Sequence, residues 1–300
     1  MGKVNYAAID IGSNAVRLLI KSIDREAVQE KKIKKVMMLR VPLRLGFDVF
    51  SIGELSEKKA DKLRRLMKAF RQLMKIYDVD DYRACATSAM RDARNGRTII
   101  KKIEKDTGIR IEIIDGQEEA RMIYNNHIEC MEDRLGNYMY VDVGGGSTEI
   151  NLLTNGELVW SVSYNIGTVR ILNKKLSRSE LFRMYRDLRR VKESYPRISI
   201  IGSGGNINKL HHLAKIPARE SLTVERLLEL RNELNSYPIV ERIERFGLKP
   251  DRADVIVPAA DIYLQIATHI GAQEIWVPTI GIVDGIIYSL CSDYLEMHKK

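Results

Sequence analysis

The sequence predicts an α/β protein built as two similar lobes, and three observations carry that expectation. Apolar runs of strand length alternate with segments of helical periodicity along all 300 residues, a length that suits about two domains. A strand ending in an aspartate and a glycine turn occurs twice, as Ile9-Asp10-Ile11-Gly12-Ser13 and, 132 positions later, as Val141-Asp142-Val143-Gly144-Gly145. Each copy heads the same series: three strands, then alternating helix and strand.

In the first lobe, residues 4 to about 24 read as strand, glycine turn and strand, and "KKVMMLRVPLRLG" as a third strand ending in Gly46. Residues Ser56 to Tyr77 place Ala60, Leu63, Leu66, Met67, Phe70, Leu73 and Met74 at helical spacing, with Ser56 as the N-cap. A short strand at "RACAT", a helix from about Ala89 to Asp106, a strand at "IRIEII" and a helix opening near Gln117 complete the lobe.

The second lobe starts with "NYMYVDVG", "STEINLLT" and "ELVWSVSYN", three strands with turns at the glycines and at Asn155-Gly156. The helix "SRSELFRMYRDLRRVKES" leads to the strand "RISIIGS", which enters a glycine turn and helix at "GGNINKLHHL". Helices near 222–236 and 252–270, a strand at "EIWVP" and a last helix from about Ile282 to Met297 follow. The junction falls near 126–136, giving domains 1–128 and 129–300.

Composition narrows the class. Charged residues make up 30% and hydrophobic ones 45%, and no apolar run approaches the roughly 18 residues of a membrane span. The start lacks the order of a secretion signal, so a cytoplasmic protein without a membrane partner is expected. Three scattered cysteines, Cys85, Cys130 and Cys291, suit neither a disulfide framework nor a CxxC metal site and read as core thiols. His211 and His212 are adjacent and point apart on a helix, so any metal should be hard and oxygen-bound. The net charge of +9 belongs to residues 1–125, with 27 Lys and Arg against 18 Asp and Glu. That excess fits a polyanionic partner or a solvated helix face equally well.

Glycine admits positive φ and close backbone approach, and successive N–H groups in such a turn make a concave anion site. Gly12, Ser13 and Asn14 form one candidate phosphate-binding turn; Gly144, Gly145, Gly146, Ser147 and Thr148 form the other. Gly204 and Gly205, opening a helix, add donors that favour negative charge. Asp10 and Asp142 stand where an oxygen-ligated Mg²⁺ could bridge phosphate oxygens, and Glu149 could join through water. Glu118 and Glu119 begin a helix and supply candidates for a base, although a helix N-terminus attracts glutamates in any case.

The ordered stretches "AIDIGSNAVRLLI", "ATSAMRDARN", "GQEEARMIY", "VDVGGGSTEI", "YNIGTVRI", "GSGGN", "ADVIVPAA" and "GIVDGIIYSL" resemble the exopolyphosphatase and guanosine pentaphosphate phosphohydrolase family, of the actin, sugar-kinase and Hsp70 superfamily. The resemblance covers essentially the whole chain. It implies two ribonuclease-H-like domains with a cleft between them, the last helix packing back on the first, and Mg²⁺-dependent removal of terminal phosphate. It also implies that Glu119 is the catalytic base, that Asp142 and Glu149 flank the phosphate turn, and that Arg91 is catalytic. Asn206 stands where the family usually has threonine, and Val283 and Asp284 where it usually has arginine and glutamate.

The expected function is an exopolyphosphatase acting on inorganic polyphosphate with Mg²⁺. Rivals are a guanosine pentaphosphate phosphohydrolase, a non-catalytic nucleotide- or phosphate-binding regulator, and a kinase. No nucleic-acid module is recognised, and a homodimer is compatible with the sequence.

Overall fold

The structure, a computed structural model, describes residues 2–24, 33–127, 136–217, 220–278 and 282–297. The chain forms two units, Met1–Asn126 with Ile282–Lys300, and His127–Gly281. Most of the expected junction at 126–136 lies outside the described residues.

In unit 1 the apolar strands β1 (Lys3–Ile11), β2 (Val16–Asp24) and β3 (Ile33–Val41) form an antiparallel meander. On the other side of β1, β4 (Asp81–Ala86) and β5 (Glu112–Ile113) add in parallel, giving the order β3-β2-β1-β4-β5. Parallel strands need crossovers, and helices supply them. The first holds α1 (Leu45–Ile52) and α2 (Glu57–Ile76), and the second holds α3 (Ser88–Asp92) and α4 (Gly96–Thr107). Ser56 caps α2 by accepting the Lys59 N–H, and Leu63, Met67, Phe70 and Met74 form its buried stripe. The sheet leads into α5 (Gly116–His127).

Unit 2 repeats the plan with β6 (Asn137–Val143), β7 (Thr148–Thr154), β8 (Glu157–Tyr164), α6 (Thr168–Leu172), α7 (Arg178–Ser194), β9 (Ile198–Ser203) and α8 (Gly205–Leu213). After these come β10 (Leu222–Thr223), α9 (Val224–Asn235), α10 (Ile239–Phe246), α11 (Pro250–Ala253), α12 (Ile256–Ile270) and β11 (Glu274–Trp276). The sheet order is β10-β11-β9-β6-β7-β8, so β8-β7-β6-β9-β11 matches unit 1 strand for strand. Its core joins Val141, Leu152, Met184, Leu188, Ile200 and Ile207 to Tyr263 and Ile266 of α12. The two α/β units therefore carry the duplicated ribonuclease-H-like sheet that was expected.

The final helix, α13 (Ile282–Met297), belongs to unit 1. Its Ile282, Val283, Ile286 and Ile287 pack with Val4, Tyr6 and Ala8, which the strand period places on one face of β1, and with Leu19, Ile23, Cys85, Ile114 and Met122. Burial pushes the Cys85 thiol up to about 12 and the Cys291 thiol up to about 11, so both rest protonated, as core thiols should. Cys130 lies outside the described residues. Among those residues no helix is long and apolar enough to cross a membrane.

Several elements differ from expectation. The third strand ends at Val41, not Gly46: Pro42 has no N–H for a ladder, and Arg44 turns left-handed (φ 53°) to start α1. The helix expected over Ala89–Asp106 is broken, because Ala93 is extended (ψ 122°) and Asn95 uses its side chain to bond both backbone groups of Leu55. The strand at "IRIEII" shrinks to Glu112–Ile113, and the helix over 252–270 divides at Asp254 and Val255. The short α1 and α6, and α10, carry too few apolar repeats for a periodicity reading.

Candidate active site

The strand–turn–strand of unit 1 is closed by a hydrogen bond from the Gly12 N–H to the Ala15 carbonyl, 3.1 Å. The Arg44 and Gly46 N–H groups at the start of α1 hold the carbonyls of Asn14 and Ser13, each at 2.8 Å. Gly46 has to be small there, since a Cβ would lie 3.0 Å from the Ser13 Cβ and closer still to Phe50. Ser13 Oγ and Ser88 Oγ share a buried hydrogen bond of 2.8 Å, which ties the turn to α3. With its carbonyls drawn toward α1, the turn leaves its N–H side for a ligand. Among the described residues no backbone bond takes the Ser13 N–H.

Asp10 is 2% exposed and accepts a 2.5 Å bond from Arg17, its partner across the β1–β2 ladder. Burial raises its pKa above the ordinary value, and the Arg17 charge and hydrogen bond offset only part of that. Asp10, expected as a metal ligand, thus has a cation of its own unit beside it.

The two candidate bases separate clearly. Asp115 caps α5 by accepting the Glu118 N–H, 2.8 Å, which aims Glu118 and Glu119 in different directions from one helical turn. Glu118 is 41% exposed and bonded to Arg83, 2.5 Å. Glu119 is 12% exposed, with its Oε2 3.8 Å from Arg91. Arg91, on α3, is held by donating to the Ile114 carbonyl at 2.9 Å. The expected base and the expected catalytic arginine are thus neighbours, brought together by elements 28 residues apart in sequence.

Unit 2 builds its turn in the same way and more tightly. The Gly144 N–H meets the Ser147 carbonyl at 2.9 Å. The first turn of α6 collects the glycine carbonyls: Thr168 N–H to Gly144, Val169 N–H to Gly145 at 2.8 Å, and Arg170 Nε to Gly146 at 2.9 Å. Gly167 lies directly on the loop, and a Cβ there would come within 2.4 Å of the Gly146 carbonyl carbon. Among the described residues no backbone bond takes the N–H groups of Gly145, Gly146 or Ser147. Three such groups beside one another suit phosphate oxygens. Thr148 is fully buried and donates its hydroxyl to the Ile166 carbonyl, 2.6 Å, so its side chain braces the turn.

Asp142 stands opposite Glu149 on the β6–β7 ladder and opposite Ser203 on the β6–β9 ladder. Glu149 is 2% exposed and accepts from Ser163 Oγ at 2.9 Å. The Asp142 carboxylate reaches over the turn into α8, where a Cβ on Gly204 (φ 93°) would lie 2.4 Å from its Oδ1. Gly204 therefore meets two demands, the positive φ and the carboxylate beside it. Gly205 then opens α8, its carbonyl bonded to Arg252 at 3.0 Å. The Ser203 Oγ is buried and has no hydrogen-bond partner among the described residues.

This donor set is hard oxygen throughout, which suits Mg²⁺. Among the described residues no three His, Cys, Asp or Glu side chains gather as a metal cage. Two carboxylates with water and phosphate completing the shell is a usual arrangement for that ion. The sequence reading missed Gly167, Thr168 and Arg170, although "YNIGTVRI" was one of the recognised stretches. Their role depends on contact with a loop about 24 residues away.

The model of the Ppx/GppA phosphatase family matches residues 22–293. The chain is 29% identical to a bifunctional 3-dehydroquinate synthase/phosphatase of Fusobacterium nucleatum, over 90% of this chain and 44% of that protein. It is 25% identical to a guanosine-5'-triphosphate,3'-diphosphate pyrophosphatase of Aeromonas hydrophila, over 95% of this chain and 59% of that one. The chain thus spans about half the length of the curated relatives it matches. Among solved structures, the type II crystal variant of the Aquifex aeolicus Ppx/GppA phosphatase aligns with a TM-score of 0.70 at 25% identity, covering 95% of this chain and 99% of that one. An exopolyphosphatase from Cytophaga hutchinsonii shares the fold with a TM-score of 0.82 at 24% identity, covering 96% and 98%. With nearly the whole sequence matched by the family model, the chain belongs to the Ppx/GppA phosphatase family.

Proposed function

We propose that this protein is a Mg²⁺-dependent phosphoanhydride hydrolase of the cytoplasm that releases terminal phosphate from inorganic polyphosphate. The observation that carries the reading is the contrast between Glu119, sheltered beside Arg91, and Glu118, spent on a surface pair with Arg83. In this mechanism Glu119 takes a proton from a water whose oxygen attacks the terminal phosphorus in line. The anhydride bond to the next phosphate breaks, and the leaving oxygen keeps the bonding electrons. Arg91 and the N–H groups of Gly145, Gly146 and Ser147 stabilise the charge that spreads over the phosphoryl oxygens. Asp142 and Glu149 would hold Mg²⁺, which supplies positive charge at the phosphate oxygens.

Phosphate release from polyphosphate, guanosine pentaphosphate and ATP, measured side by side with Mg²⁺ and with chelator, tests the proposal. Polyphosphate should be the best substrate, and chelator should abolish release. Preference for the pentaphosphate would favour the second reading, to which the name of the Aeromonas relative lends support. Phosphate that appears on an added acceptor, and not free in solution, would indicate a kinase, and no turnover at all a regulator. Glu119→Gln keeps shape and hydrogen bonding but removes the proton acceptor, so kcat should fall by about 10² or more while Glu118→Gln does far less. Equal losses from the two variants would exclude the assignment.

A further inference from the structure

We propose that Gly285, on the last helix, is a positioning residue for Glu119; the proposal rests on the reading of Glu119 as the base. A Cβ at position 285 would lie 2.1 Å from the Met122 carbonyl oxygen and 2.8 Å from its carbon. Met122 follows Glu119 by three residues on α5, so α13 crosses α5 at the turn next to the base. Only a residue without a side chain permits that approach.

Helix α13 is held on the sheet of its own unit. Its Ile282, Val283, Ile286 and Ile287 are all buried against β1, β2 and β4, and Asp284 pairs with Lys21 of β2 at 2.7 Å. An added methyl group would therefore push α5 outward by about an ångström. Displacements of that size at a reacting group can cost up to about 10²-fold in rate. Arg91 would not follow, because it is anchored on α3 and bonded to the Ile114 carbonyl. The bare α-carbon at 285 thus sets how far Glu119 reaches toward Arg91.

The test compares Gly285→Ala with Gly108→Ala. The control also sits at a cost, since Gly108 has φ 69°, but its added methyl meets nothing within 4 Å. Gly285→Ala should lower kcat by about 10-fold or more with KM within about twofold, whereas the control keeps kcat. In ¹³C-glutamate-labelled protein, the Glu119 carboxyl resonance, assigned by its loss in Glu119→Gln, should shift in Gly285→Ala while that of Glu118 stays. If Gly285 acts through Glu119, adding Gly285→Ala to Glu119→Gln should lower kcat little further. An unmoved Glu119 resonance in folded Gly285→Ala, or kcat losses that multiply, overturns the proposal.

Should Gly285→Ala not fold, Ile286→Val removes one buried methyl group and lets α13 settle without a clash. It should move the same resonance by less, and no movement would again overturn the idea. An active Glu119→Gln enzyme would remove the base assignment, yet the resonance shift would still report whether α13 positions Glu119.

Discussion

The glycine turns of the two units are built alike and equipped differently. Shifted by 132 residues, Gly12 N–H to Ala15 O becomes Gly144 N–H to Ser147 O. In both, the short helix after the third strand holds the turn's carbonyls, α1 in one unit and α6 in the other. In both, an added Cβ on the first glycine would stand 3.1 Å from the same carbonyl. The residue facing the aspartate across the ladder is what changes. Asp10 faces Arg17 and is charge-matched within the fold, while Asp142 faces Glu149. Two carboxylates placed opposite one another are unfavourable unless a cation joins them. The same backbone therefore sets a cation opposite the aspartate in one unit and a second carboxylate opposite it in the other.

The largest expected effect follows from that contrast. Asp142→Asn or Glu149→Gln removes a hard anionic oxygen and should raise the Mg²⁺ concentration for half-maximal turnover by about 10- to 100-fold. Asp10→Asn should leave the Mg²⁺ titration where it was. A shift as large from Asp10→Asn would mean that the two aspartates do the same work and that Arg17 makes no difference.

Asp10→Asn should instead register in stability. It weakens the bond from Arg17, at a cost of roughly 1–3 kcal/mol near pH 4. The pH dependence carries more information. Because burial raises the Asp10 pKa, the folded state binds its proton more readily than the unfolded chain, whose carboxyl ionises near 3.8. Its contribution is complete below that pH and declines as pH rises through the folded value. Urea midpoints of the parent and Asp10→Asn, followed upward from about pH 4, should therefore converge. A gap that widens with pH would show that the Arg17 pair outweighs burial.

The smallest effect concerns the basic excess of the first 125 residues. On α2, Lys58, Lys62, Arg65 and Lys68 are exposed, and Arg65 is partly matched by Asp61 at 2.7 Å. If they steer a long phosphate chain, Lys62→Glu with Arg65→Glu should raise KM for long polyphosphate by about two- to fivefold at low salt and leave tripolyphosphate unchanged. An equal effect on both lengths would point to damage elsewhere, and none would make the stripe a solvated surface.

What could be read in advance were features that repeat at fixed spacing. The long α2, with its cap, and the duplicated strand-aspartate-glycine pattern follow from local periodicity and from the freedom of glycine. So does the family, because eight ordered stretches are a property of the sequence alone. The broken helix at Ala93–Asn95 was not legible, since the break depends on Asn95 reaching Leu55, forty residues earlier.

The sequence by itself determined which residues are chemically able to act: the glycines, Asp10, Asp142, Glu149, Arg91 and the glutamate pair at 118 and 119. Tertiary structure alone decided what each was used for. Thr148 became a brace because Ile166 offered its carbonyl, Asp10 gained a cation because register brought Arg17 opposite, and Glu119 was set apart from Glu118 because the one lies beside Arg91 and the other bonds Arg83. Composition and spacing record the identity of a group. Its protonation, exposure and reach depend on neighbours brought up by other strands and helices, and those distances exist only once the chain has folded.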